Sequence, residues 1–132
     1  MDDKLGRAAI IENGSPLFSG GTSSGESQIR RWLLDKDLIE AIIALPTDLF
    51  YNTGIATYIW VLSKNKREER KGKIQLIDAS NIYHKLRKAL GNKKNEITPK
   101  IVPKLHIFML ISKKMSYAKF TKMRNLCTVN IL

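Results

Sequence analysis

Apolar residues fall along this chain in short runs divided by polar turns. Arg7-Ala8-Ala9-Ile10-Ile11-Glu12 is the first run, broken by Asn13-Gly14-Ser15-Pro16, and Leu17-Phe18 is a brief apolar return. Leu38 to Ala44 and Ala56 to Leu62 are near-continuous, rich in Ile, Val and aromatics, and bounded by Pro46, Asn52 and Gly54. That is the pattern of short strands covered on both faces. Lys73-Ile74-Gln75-Leu76-Ile77-Asp78-Ala79 alternates and predicts an edge strand. The period changes between the first two runs. Ile29, Trp32, Leu33 and Leu34 form an apolar stripe on a helix near 26–36, with Ser24 or Gly25 as N-cap and Arg30, Arg31 and Lys36 turned outward. A second, short helix is predicted from Ser80 or Asn81 through Tyr83, Leu86 and Leu90, with Lys85, Arg87 and Lys88 facing out and Gly91 ending it.

Strand, helix, strand in this order predicts a right-handed βαβ unit over residues 7–44. The connection at 45–55 leaves no room for another helical crossover, so the strand at 56–62 is expected to run antiparallel to its predecessor. Residues 63–72 read as a charged surface turn. The 45–55 loop carries two adjacent aromatics, Phe50 and Tyr51. A loop between two core strands is a place for recognition. On spacing alone Phe50 reads as a plug for the end of the core, since most aromatics are core.

Composition narrows the classes. The 132 residues suffice for one domain, and an apolar fraction of 43% suffices for a core. A single cysteine, Cys127, leaves no internal disulfide and fits a reducing, cytoplasmic setting. No apolar run is long enough to span a bilayer. The formal charge of +11 invites a nucleic-acid partner. It is unevenly spread: residues 1–96 hold 16 basic and 12 acidic side chains, whereas residues 97–132 hold 7 basic and no acidic ones. The loop Ser19-Gly20-Gly21-Thr22-Ser23-Ser24-Gly25 lacks both the dinucleotide-binding and the P-loop spacing and reads as a connection. His84 and His106 stand alone, Cys127 has no partner at metal-ligand spacing, and no nucleophile-elbow pattern occurs.

Several pieces together carry a resemblance. They are Gly6-Arg7-Ala8-Ala9-Ile10-Ile11, Leu17-Phe18, Ile29-Arg30-Arg31-Trp32-Leu33-Leu34, and Ile42-Ile43-Ala44-Leu45-Pro46 with Phe50, Thr53, Gly54 and Thr57. Lys73-Ile74, Ile77-Asp78-Ala79 and Gly91-Asn92-Lys93-Lys94-Asn95-Glu96-Ile97 complete the set. Over residues 6–98 the chain resembles the modification subunit of type I restriction-modification systems, an N6-adenine DNA methyltransferase that uses S-adenosylmethionine. The resemblance implies an α/β fold, the C-terminal half of a Rossmann-like methyltransferase sheet, with mixed parallel and antiparallel strands and flanking helices. It further implies that the strand at 56–62 lies between those at 7–12 and 38–44. In related methylases an aromatic in the loop before the last strand stacks on the extruded adenine. The matching position is Phe50, with Tyr51 as the alternative ring, while Thr53 and Gly54 shape the loop. The implied partners are DNA and the specificity and restriction subunits.

The departures carry equal weight. The family's glycine-rich cofactor loop and its Asn-Pro-Pro-aromatic motif do not occur in these residues. The expectation is a fragment that binds no S-adenosylmethionine and transfers no methyl group alone. Residues 1–98 are read as the C-terminal part of the methyltransferase domain and 99–132 as a divergent basic tail. Back-translation from Leu105 with A/T-rich codons, read from one base upstream, gives under one codon choice a peptide like the family's continuation, so a frameshift is one account of the tail. A divergent helix packing Ile107, Leu110 and Ile111 on the sheet is the other. Two further classes stay open: a non-catalytic basic nucleic-acid-binding module, and an interaction fragment that self-associates through its missing-half interface.

Overall fold

The computed structural model describes residues 5–21, 23–103 and the strand at 114–116. The element order is β1 (Arg7–Asn13), α1 (Ser15–Phe18), α2 (Gly25–Asp35), β2 (Ile39–Ala44), β3 (Thr57–Ser63), a 3-10 turn (Glu68–Arg70), β4 (Lys73–Asp78), β5 (His84–Leu90), β6 (Lys93–Glu96) and β7 (Lys114–Ser116). The main sheet has the order β1-β3-β2-β4-β7. β3 is antiparallel to β1 and to β2, and β2 is parallel to β4. The short 45–56 connection thus has the predicted consequence, and β3 takes the inserted position. Of residues 105–132 only β7 is described, so Ile107, Leu110 and Ile111 of the packed-helix account, and His106 and Cys127, lie outside the described residues.

The sheet is packed on both faces. One face buries Leu17, Leu34, Ile39, Ile42, Trp60, Leu62 and Ile74 beneath α1 and α2. The other buries Ala41, Ile43, Leu45, Ile77 and Ala79, covered by Leu49, Ile82 and Ile97 from the loops. Full burial of each such aliphatic side chain contributes about 1.5–3 kcal/mol. Ile39 and Ile42 share a face although an unbroken strand would send them to opposite sides. The register shifts between Ile39 and Ala41, and this bulge at Glu40 restores the facing. Arg7 and Arg70 each bond the Glu40 carboxylate, at 2.9 and 3.1 Å, and so fix the bulge.

Four expectations are corrected. The predicted helix through Tyr83, Leu86 and Leu90 is a β-hairpin, β5–β6, whose two-residue turn is Gly91-Asn92. Gly91 has φ +61° while Asn92 stays at negative φ, which is a type II′ turn rather than a helix end. A glycine at positive φ after a short apolar-basic run suits both motifs, and seven residues are too few for the period to decide. Second, Arg30 is not turned outward: it is 5% exposed and donates to the Pro16 carbonyl at 2.8 Å, holding α1 against α2. The face of α2 on the sheet is Ser27, Arg30 and Leu34, and Ile29 and Trp32 are exposed at 62% and 55%. Third, β4 is not at an edge, because β7 pairs with its outer side. Fourth, the turn after β3 is not wholly on the surface. Lys66 is buried, its ammonium bonded to Asp37 at 2.5 Å and to the Lys73 carbonyl at 3.1 Å.

Ser24 is the N-cap of α2, accepting from the Ser27 N–H at 3.3 Å. Glu26 beside it is held below the usual carboxylate range by its own backbone N–H and by the Ser24 hydroxyl. At the far end Asp37 adopts φ +51°, a conformation that asparagine also tolerates, and its second oxygen accepts from the Gly72 N–H at 2.9 Å.

Asp37→Asn removes the counter-charge of a buried ammonium without changing backbone preference. It is expected to cost about 3 kcal/mol, the scale for breaking a buried pair from one side. Glu68→Gln, in the exposed pair with Lys71, is expected to cost under about 0.5 kcal/mol. Urea unfolding of the two variants checks this, and equal midpoint shifts would contradict the role given to Lys66.

Candidate functional site

In open α/β sheets, ligands bind beyond the carboxyl ends of the parallel strands. Here those ends coincide with one edge. Asn13 of β1 pairs with Thr57, Ala44 of β2 with Tyr58, and Ala44 also with Asp78 of β4. The loop from Leu45 to Ala56 leaves and re-enters the sheet at that edge, because β3 runs antiparallel. Its start is anchored: the Leu45 N–H donates to the Thr57 carbonyl at 2.9 Å, and Leu45 and Pro46 are buried.

The two aromatics are held differently. Leu49, not Phe50, packs on the core. Phe50 is half-buried and belongs to neither core cluster of the described residues. Tyr51 is 63% exposed, with the Lys93 ammonium 5.0 Å from its ring centroid, a cation–π contact. Thr53 and Gly54 shape the loop, as the resemblance implies. The Thr53 hydroxyl accepts from the Ile55 N–H at 3.3 Å, and a Cβ at Gly54 would lie 2.6 Å from an Asp48 carboxylate oxygen.

The β5–β6 hairpin fastens the loop. Asp48, at φ +57°, points its carbonyl at β6 and accepts from the N–H groups of Lys94 and Asn95 at 2.9 and 3.1 Å. The Asn95 side-chain amide donates to the Thr47 carbonyl at 3.0 Å. The Asn92 N–H donates to the Tyr51 carbonyl at 3.0 Å. Gly91 is required twice over, by its φ and because a Cβ would meet the Tyr51 carbonyl oxygen at 2.7 Å. Asn92, Lys94 and Asn95 are site-building residues that the sequence pattern missed. The readable signal was the Gly-Asn dipeptide between two short runs.

The glycine-rich 19–25 loop is not a cradle. A Cβ at Gly20 would fall 2.0 Å from the Ser24 hydroxyl and 3.0 Å from the Glu26 carboxylate, so the space beside it is filled by groups already engaged in capping. The space beside Gly20 has no room for the carboxylate of a donor such as S-adenosylmethionine. Among the described residues no three His, Cys, Asp or Glu groups are placed to hold a metal ion, and no helix is long and apolar enough to cross a membrane.

A last strand inserted antiparallel between two parallel ones, with a loop at their shared carboxyl edge, defines the later part of a Rossmann-like methyltransferase sheet. The chain belongs to the N-6 DNA methylase family, whose model matches residues 2–130. The MjaVIII methylase subunit of a type I restriction enzyme from Methanocaldococcus jannaschii is 49% identical over 79 residues, which are 60% of this chain and 13% of that protein. The HindI methylase subunit of Haemophilus influenzae is 33% identical over 115 residues, 87% of this chain and 25% of that protein. The crystal structure of the type I restriction-modification methyltransferase subunit from Streptococcus thermophilus shares the fold, with a TM-score of 0.73 at 24% identity, covering 94% of this chain and 25% of that one. The chain spans a quarter or less of the length of each of these proteins.

Gly91→Ala and Gly72→Ala separate conformation from contact. Both glycines have positive φ, but nothing lies within 4 Å of a Cβ at Gly72. Each change is expected to cost about 1–2 kcal/mol for the left-handed backbone. Only Gly91→Ala should also remove hydrogen-exchange protection from the amides of Asn92, Lys94 and Asn95. Retained protection there would show that the hairpin does not fasten the loop.

Proposed function

We propose that these residues form the later part of the methyltransferase domain of a type I modification subunit. The whole protein would transfer a methyl group from S-adenosylmethionine to the N6 amino group of adenine in DNA, alongside specificity and restriction subunits. The contribution of this chain is the sheet edge and the Leu45–Ala56 loop, with Phe50 as the ring on which the extruded adenine stacks and Tyr51 beside it. An adenine amino group is inaccessible within the duplex, so extrusion is required before chemistry. The observation that carries this reading is the placement of Phe50: at the ligand-binding edge, half-buried, outside both cores, on a loop whose own plug is Leu49. Tyr51, exposed and with Lys93 over one side of its ring, is the alternative platform.

The 132 residues alone are proposed to transfer no methyl group. The donor and the adenine amino group would be held by the glycine-rich loop and the Asn-Pro-Pro motif, in parts of the relatives' length that this chain does not span. The open side of the sheet supports this. β1 stands at the sheet edge with Ile10 and Ile11 exposed. Beside it, Ile10, Ile29, Leu33, Trp60 and Leu62 line an apolar groove of about 570 Å³. The buried Trp60 indole N–H has no acceptor among the described residues. A bare strand edge is a template for pairing, and the groove offers the continuing domain a surface to bury.

Phe50→Ala and Phe50→Trp in an intact subunit carrying these residues test the stacking role. Stacking of an extruded base contributes about 1–3 kcal/mol, so Ala is expected to slow methylation by roughly 5- to 150-fold. Its melting temperature should fall little, since no core cluster includes the ring. Trp still offers a π-face and should keep most of the rate. An Ala variant that melts far lower, with a Trp variant equally damaged, would return Phe50 to the core.

A further inference from the structure

Charge is segregated in this chain in a way that the sheet does not explain. Residues 1–83 carry eleven basic and eleven acidic side chains and are neutral. The hairpin at 84–96 carries five cations, Lys85, Arg87, Lys88, Lys93 and Lys94, against one acid, Glu96. Five of the eleven cations before the hairpin are matched by carboxylates: Arg7 and Arg70 on Glu40, Lys66 on Asp37, Lys71 on Glu68, and Arg31 on Asp35. None of the hairpin's five cations forms an ion pair among the described residues. Lys85, Arg87, Lys88 and Lys94 are exposed, and Lys93 lies over the Tyr51 ring. Five like charges on a two-stranded ribbon repel one another, which disfavours the hairpin unless an external polyanion neutralises them.

The position of the hairpin says which polyanion. Its turn and second strand are bonded to the carbonyls of Thr47, Asp48 and Tyr51, on either side of Phe50. Hairpin and loop therefore form one body, and whatever the cations hold is kept at a fixed distance from the Phe50 ring. β5, with seven residues, is about 20 Å long, enough to follow several phosphates of one strand. We propose that the β5–β6 hairpin is a clamp for the DNA phosphodiester backbone, with Lys85, Arg87, Lys88 and Lys94 on the phosphates flanking the nucleotide presented to the Leu45–Ala56 loop. The clamp reads no sequence. It fixes position, as phosphate contacts do, and it rests on the base-stacking reading of that loop.

The test uses the full 132-residue chain and a fluorescent DNA duplex with one adenine opposite an abasic site, titrated by anisotropy from 50 to 200 mM salt. A first variant replaces Lys85, Arg87 and Lys88 by Gln. A second exchanges the same residues for the other basic type (K85R, R87K, K88R). A third places Gln at Lys119, Lys122 and Arg124 as a tail control. Each lost phosphate contact lowers the slope of log K against log salt by about 0.9. The first variant is therefore expected to lose about 40-fold less affinity than the parent across this range. The exchanged variant should keep the parental slope, which separates charge from folding, and so should the tail control. A Gln variant with the parental slope, or a tail control that accounts for the slope, would overturn the clamp. Phe50→Ala in the same titration should keep the slope and lose the preference for this duplex over a fully paired one of the same sequence. If that preference survives while the hairpin variant loses slope, the phosphate contact stands and the base pocket falls.

Discussion

β3 must enter a sheet whose neighbours on both sides run the other way, and the chain has only residues 45–56 in which to bring it there. This constraint governs most of the molecule. Without room for a crossover helix, the chain turns back at the same edge it has just left. That edge is also where β1, β2 and β4 present their carboxyl ends. The loop cannot be displaced to the opposite end without undoing the pairing of Trp60 and Ile59 with Ile42 and Ile43 at the centre of the sheet. The Leu45–Ala56 loop is thereby built on a rigid base, at no cost to the core beyond the strand insertion itself.

The loop's conformation is set from outside as well. Asp48 holds a left-handed backbone that costs a non-glycine residue about 1–2 kcal/mol. In return its carbonyl takes two N–H groups of β6, and Gly91 lets the hairpin turn approach the Tyr51 carbonyl. The hairpin thus replaces solvent as the partner of three loop carbonyls. A loop stiffened in this way presents Phe50 in one orientation, which is what stacking on a single extruded base needs. The same bonds place the hairpin's basic charge beside that ring, so geometry and electrostatics converge on one edge of the sheet.

Much of the fold was legible because buried strands announce themselves. Ile42-Ile43 and Ile59-Trp60-Val61 are apolar at every position, and Pro46 and Gly54 mark where the chain turns. The resemblance added the inserted position of β3. The helical stripe was read a little out of phase, since Arg30 buries its stem and bonds the Pro16 carbonyl while Ile29 and Trp32 face out. Hydrophobic pattern assumes that charge faces water, and a buried arginine with a carbonyl to hold breaks that rule. The hairpin was hidden for another reason: Leu86 and Leu90 satisfy a period of nearly four as well as a period of two, and Gly91 punctuates either. The candidate ring was nameable from the sequence only through resemblance. What the sequence could not reveal was that Leu49 is the plug and that Asn92, Lys94 and Asn95 hold the loop, because those contacts join segments some forty residues apart through backbone carbonyls.

The most direct measurement is photocrosslinking of an intact methylase subunit carrying these residues to DNA with 5-iodouracil in place of the target adenine. A halogenated base stacked on an aromatic ring couples to it on irradiation. Mass spectrometry of the digested adduct is expected to find the label on Phe50. A label confined to residues outside the Leu45–Ala56 loop would contradict the assignment of this loop as the base platform.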